Sequence, residues 1–141
     1  MKVKLKLVNQ AVRFDAVNEQ GITIPIDGSE AVGGNNEGVR PMQLLLMGLG
    51  GCSGIDICTI LKKQRQKIDN LEIEIEGLRE KDEIPSVFKE ITICFYLSGD
   101  LVADKINKAV DLTMDKYCSV AKILEKSAVI TTKTFLNGEE L

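Results

Sequence analysis

Two cysteines carry the clearest chemical signal in this chain. Cys52 lies in the glycine-rich apolar stretch Leu44-Leu-Leu-Met-Gly-Leu-Gly-Gly-Cys-Ser-Gly-Ile55, and Cys118 lies in Lys116-Tyr-Cys-Ser-Val120. Each sits among small residues near a predicted helix start or within a helix body, where the environment sets thiolate character more than packing does. The chain has no histidine. Cys-His nucleophiles, Ser-His-Asp triads and histidine-ligated metals are therefore excluded, and catalysis would have to run on thiols, carboxylates, Lys, Arg, Tyr or hydroxyls.

The remaining cysteines, Cys58 and Cys94, read as buried and inert, the usual state of a free core cysteine. The four cysteines contain no C-x-x-C, so no zinc site and no other metal or cofactor is expected. Static disulfides are not expected either, because the chain reads as cytoplasmic and is long enough to stand without them. On one helix, Cys52 and Cys58 would be separated by about 120° and ~9 Å, too far to bridge. If any pair forms, Cys52 with Cys118 is the candidate.

The elements that must position these thiols follow an α+β order. Lys2 to Val8, Ala11 to Val17 and the segment through Ile22, Ile24 and Ile26 alternate apolar and polar residues, predicting an antiparallel meander. Residues 27–40 hold many glycines, fit neither the phosphate-loop nor the dinucleotide pattern, and read as a loop over or beside a site. Pro41 suits a first helical turn, and the helix continues through Lys63. Leu71 to Glu76 and Val87 to Leu97 predict a half-buried hairpin, with Glu72, Glu74 and Glu76 on its solvated face. Ile106 to Tyr117 recurs at helical spacing, Ser119 is placed to cap a short helix through Leu124, and a last strand runs from Ala128 to Leu136. The order βββ-α-ββ-αα-β shows no internal repeat and no dividing linker, so residues 1–141 read as a single domain.

Composition narrows the partners. With 18 Lys and Arg against 21 Asp and Glu, no phosphate-tracking or polybasic surface is indicated, so neither nucleic acid nor membrane is expected. The N-terminus alternates like a strand and does not resemble a signal peptide. The apolar run from Leu44 to Ile55 is about half the ~20 residues of a membrane helix and reads as a core helix. Four glycines within it, Gly48, Gly50, Gly51 and Gly54, each cost roughly 1 kcal/mol of helix stability relative to alanine, which calls for close packing against protein.

Arg40-Pro-Met-Gln-Leu-Leu-Leu-Met-Gly-Leu-Gly-Gly-Cys-Ser-Gly-Ile-Asp56 with Ile60-Leu-Lys-Lys63 resembles the first cysteine motif of the OsmC/Ohr family, and Asp115-Lys-Tyr-Cys-Ser-Val120 resembles the second. Pro85-Ser-Val-Phe-Lys-Glu-Ile91 fits between them, and the details sit closest to the YhfA-like branch. The resemblance implies an intertwined homodimer in which antiparallel sheets from both chains wrap around the long central helices. It also implies thiol chemistry at the dimer interface. Cys52 would attack an organic hydroperoxide and become a sulfenic acid, Cys118 would resolve it as a disulfide, and a dithiol reductant would reopen the bridge.

In the family's reductases an arginine serves the thiolate, held by a glutamate ten residues before the first cysteine. That position is Met42 here, and the neighbouring position is Gln43. Arg13 and Arg40 remain as candidate catalytic cations, each with the plainer reading of an ordinary surface cation, and Glu37 is a possible substitute anchor. Asp56 shares a helix face with Cys52, and Tyr117 reads as an interface tyrosine. The leading expectation is reduction of organic hydroperoxides in oxidative-stress defence. The alternatives are a non-catalytic dimer that binds a small apolar ligand or responds to redox state through its thiols, and a structural dimer.

Overall fold

Alternating apolar and polar residues near the N-terminus build the expected meander. In the computed structural model, which describes all of residues 1–141, β1 (Val3–Leu7), β2 (Phe14–Asn18) and β3 (Thr23–Ile26) form an antiparallel sheet in that order. Val3 pairs with Asn18 and Phe14 with Ile26. The second strand starts at Phe14, later than the expected Ala11. The Asn9 side chain accepts the amides of Ala11 and Arg13 at 3.0 and 3.1 Å, and Val8 N–H donates to the Arg13 carbonyl at 3.0 Å. Those bonds wrap residues 9–13 into a turn before pairing can begin.

The long loop is organised by one buried carboxylate. Asp27, 1% exposed, accepts the backbone N–H groups of Gly28, Asn35 and Glu37. A short 3-10 turn (Glu30–Val32) lies inside the loop, and Val39 bridges back to Ile26 in parallel. Next comes α1 (Pro41–Lys63), with Gln43 reaching back to accept Arg40 N–H at 2.9 Å, half of a capping box. Contacts divide the chain into two units, Met1–Leu45 and Leu46–Leu141, and α1 runs from one into the other. At 23 residues α1 is about twice the apolar run read from sequence, and by length and composition alone it matches a membrane-crossing helix.

The second unit holds a sheet of order β4-β5-β6-β7: β4 (Asn70–Arg79), β5 (Phe88–Ser98), β6 (Val129–Leu136) and β7 (Glu139–Glu140). The β4–β5 hairpin is as expected, but β6 lies parallel to β5, so this sheet is mixed, and the two-residue β7 was not anticipated. Period-2 alternation splits the faces. Ile91, Ile93 and Phe95 are fully buried, while Glu72, Glu74 and Glu76 are exposed on the other side. Gly50 and Gly54 let α1 approach β4 closely: a Cβ at these positions would lie 3.0 Å from Ile75 Cδ1 and 2.8 Å from Ile73 Cδ1. A Cβ at Gly48 or Gly51 would meet nothing within 4 Å. The crossover from β5 to β6 carries α2 (Ala103–Leu112), a π-helical turn (Thr113–Tyr117) and α3 (Ser119–Leu124).

Candidate active site

The π-helical turn sets the position of Cys118. It ends where Cys118 N–H donates to the Thr113 carbonyl at 2.8 Å, leaving Cys118 in an extended conformation at the start of α3. Such wide turns interrupt helices at functional positions more often than elsewhere. Cys118 is therefore the cap of α3, a role the sequence had assigned to Ser119. Its Sγ accepts Ala121 N–H at 3.4 Å, and Ser119 is the first helical residue. The thiol is fully buried.

Cys52 projects from the body of α1, half-buried, with Asp56 one turn further on the same face. The sulfurs of Cys52 and Cys118 and a carboxylate oxygen of Asp56 all lie within 4.8 Å of one another. Burial, and after it the neighbouring Cys52 sulfur, pushes the Cys118 thiol up to about 11 from an ordinary 9.0, against the opposing pull of the α3 amides. Cys118 thus keeps its proton at neutral pH. Asp56 Oδ2 is buried and has no hydrogen-bond partner. Beside Asp56 opens a cleft of about 340 Å³, flanked by Thr59, Lys63, Leu112 and Tyr117. Tyr117 is half-exposed at this rim, with Lys116 Nζ 5.6 Å from its ring centroid.

The other two cysteines are not the buried pair that was expected. Cys58 is exposed on α1, and Cys94 is partly exposed because strand alternation places it on the outer face of β5, between Glu74 and Lys133 on the neighbouring strands. On the same face Tyr96 stacks on Phe135 at 4.9 Å and donates to Glu74 at 3.0 Å.

Both candidate arginines belong to the first unit. Arg40 is committed to the loop: its guanidinium donates to the carbonyls of Asp27 and Gly28 and to Asn36 Oδ1. Arg13 is held by Glu37 at 3.1 Å and Asp15 at 3.5 Å, contacts that raise its pKa further and keep it charged. Glu37, offered by sequence as a substitute anchor, does hold an arginine. Arg13 Nε remains buried without a partner. Asp27, which anchors the loop carrying Glu37, was missed by sequence reasoning. Its signal was an aspartate directly after a strand and before a glycine, the setting of a side chain that accepts nearby backbone amides.

Residues 34–133 match the family model described as OsmC-like protein. The chain belongs to the OsmC-like family. Within it, the chain is 36% identical over 132 residues to Protein YhfA of Escherichia coli strain K12, covering 93% of this chain and 94% of the relative. A solved structure of a hypothetical protein from Aquifex aeolicus VF5 is 31% identical with a TM-score of 0.80, covering 96% of each chain. The organic hydroperoxide resistance protein OhrB of Bacillus subtilis shares the fold at 24% identity and a TM-score of 0.65, again covering 96% of each chain. The OsmC-like α+β fold expected from the two cysteine motifs is therefore the fold observed.

Proposed function

We propose that this OsmC-like protein reduces organic hydroperoxides through Cys52 and Cys118, working as a homodimer. The carrying observation is the pair of thiols within 4.8 Å, one half-buried and one fully buried. Because Cys118 is fully buried and holds its proton to about 11, the half-buried Cys52 is assigned the attack. The Cys52 thiolate displaces an alcohol from the hydroperoxide and becomes a sulfenic acid. The Cys118 thiol then condenses with it, releasing water and leaving the disulfide, which a dithiol reductant returns to two thiols. Structural likeness to proteins named for organic hydroperoxide resistance supports this substrate class.

Of the two arginines expected from sequence, Arg13 is charged and held by Glu37, whereas Arg40 is committed to loop carbonyls. Exposed apolar side chains support the dimer: Met47 and Ile55 on α1 are 55% and 69% exposed, beside Gly48 and Gly51 with open space above them. A second reading, a thiol protein that binds ligand or responds to redox state without turnover, is favoured by Met42 standing where the reductases carry a glutamate.

Stopped-flow reaction of the reduced protein with cumene hydroperoxide and with hydrogen peroxide, followed by mass spectrometry, separates the two. Consumption of the organic peroxide well above a free thiol's rate, with a Cys52–Cys118 disulfide as product, is the expected result. A rate matching a free thiol would leave the second reading.

A further inference from the structure

The linear sequence argued against a metal because no two cysteines fall at ligand spacing. Folding changes the donor set by bringing Cys118 from the start of α3 to Cys52 and Asp56 on α1. We propose that the reduced protein binds a thiophilic divalent cation of the zinc type through Cys52 Sγ, Cys118 Sγ and Asp56.

Three observations carry this. The donor atoms already lie within 4.8 Å of one another, and a tetrahedral ion with bonds of about 2.3 Å to sulfur and about 2.0–2.2 Å to oxygen needs them to close in by only roughly 1 Å. Asp56 Oδ2 is buried with no partner, a desolvated acceptor that costs stability until something satisfies it. The cleft beside Asp56 leaves room for a water or small anion as fourth ligand. Two thiolates and a carboxylate, with no histidine, favour a soft ion over calcium or magnesium.

The exchange balances. Two thiol protons leave as the dication enters, so a site bearing only the carboxylate charge before binding bears the same net charge after it. No electron moves. Metal binding and disulfide formation are mutually exclusive, because both use the same two sulfurs: oxidation by an organic hydroperoxide would take up two protons, yield alcohol, water and the disulfide, and release the ion. Binding itself requires only reduced thiols and Asp56, so its test is independent of hydroperoxide turnover.

Reduced, metal-free full-length protein is titrated anaerobically with Co²⁺, and Zn²⁺ is then competed against a chromophoric chelator. The expected result is one Co²⁺ per chain with sulfur-to-cobalt charge-transfer absorption, displaced by Zn²⁺. Cys52→Ser and Cys118→Ser abolish that absorption, and Cys58→Ser leaves it unchanged. Asp56→Asn, a near-isosteric change that serves should Cys118→Ser fail to fold, weakens Zn²⁺ binding by at least about 10-fold. Absence of charge-transfer absorption in the wild type overturns the proposal. So does binding that survives Cys118→Ser or is unmoved by Asp56→Asn.

Discussion

Cys52 and Cys118 share one site but meet different surroundings, and that difference assigns their proposed roles. Cys118 is fully buried at the start of α3, where burial outweighs the favourable amides and keeps its proton on until about pH 11. With Cys118 replaced by serine, Cys52 should still consume one equivalent of cumene hydroperoxide and stop as a sulfenic acid, detectable by mass shift after trapping with a carbon nucleophile. Cys52→Ser should consume none, and equal loss in both variants would refute the division of labour. The same burial makes a stability prediction. The folded chain holds the Cys118 proton more tightly than the unfolded chain, so this stabilisation is complete below the unfolded value near 9.0 and is lost as pH rises through about 11. The urea midpoint of the reduced protein should fall across that window, and Cys118→Ala should flatten the fall. An identical decline in both proteins would place its origin elsewhere.

Strands and helices here are written in sequence patterns of different clarity, and the loop between β3 and α1 is the least clear. Strict alternation in β4 and β5 made the hairpin legible, because Ile73, Ile75, Ile91, Ile93 and Phe95 share one face and a one-residue slip of either strand would turn its apolar set to the other side. Gly77 belongs to that register: a Cβ there would lie 2.5 Å from the Phe88 ring. A ring pinned in the core yields less than an aliphatic chain end, so Gly77→Ala should cost about 1–3 kcal/mol in chemical denaturation, and a neutral result would mean Phe88 is free to move. The 27–40 loop was legible only as a loop, since its order rests on Asp27 accepting amides eight and ten residues away. Those bonds hold the carboxyl below its ordinary 3.8, led by the Glu37 amide. Their stabilisation is present above pH 3.8 and is lost as pH falls through the lower folded value. Asp27→Asn puts an NH₂ donor at one of the acceptor oxygens, so amide exchange at Asn35 and Glu37 should accelerate by roughly 10-fold or more even at pH 7. Unchanged protection at both amides would show that the loop is held by other contacts.

At the scale of the whole molecule, the sequence showed the family motifs and the four glycines of α1 but could not say which glycine faces what. The structure divides them. Gly50 and Gly54 meet Ile75 and Ile73 of the chain's own sheet, whereas Gly48 and Gly51 face open space within one chain. The same α1 surface exposes Met47 and Ile55, and Ile123 and Val129 of the same unit are 67% and 66% exposed. Helix propensity alone makes Gly48→Ala and Gly51→Ala stabilising by roughly 1 kcal/mol each if solvent covers these positions. If a second copy packs its own helix there, added methyl groups hold the backbones apart and the sign reverses. The double variant should therefore shift sedimentation-equilibrium profiles from dimer toward monomer and lower thermal stability at micromolar concentration, with a midpoint that rises as protein concentration rises. A double variant that stays dimeric and melts higher than the parent would place the interface on another surface, and the apolar side chains around Ile123 and Val129 would be the next to substitute.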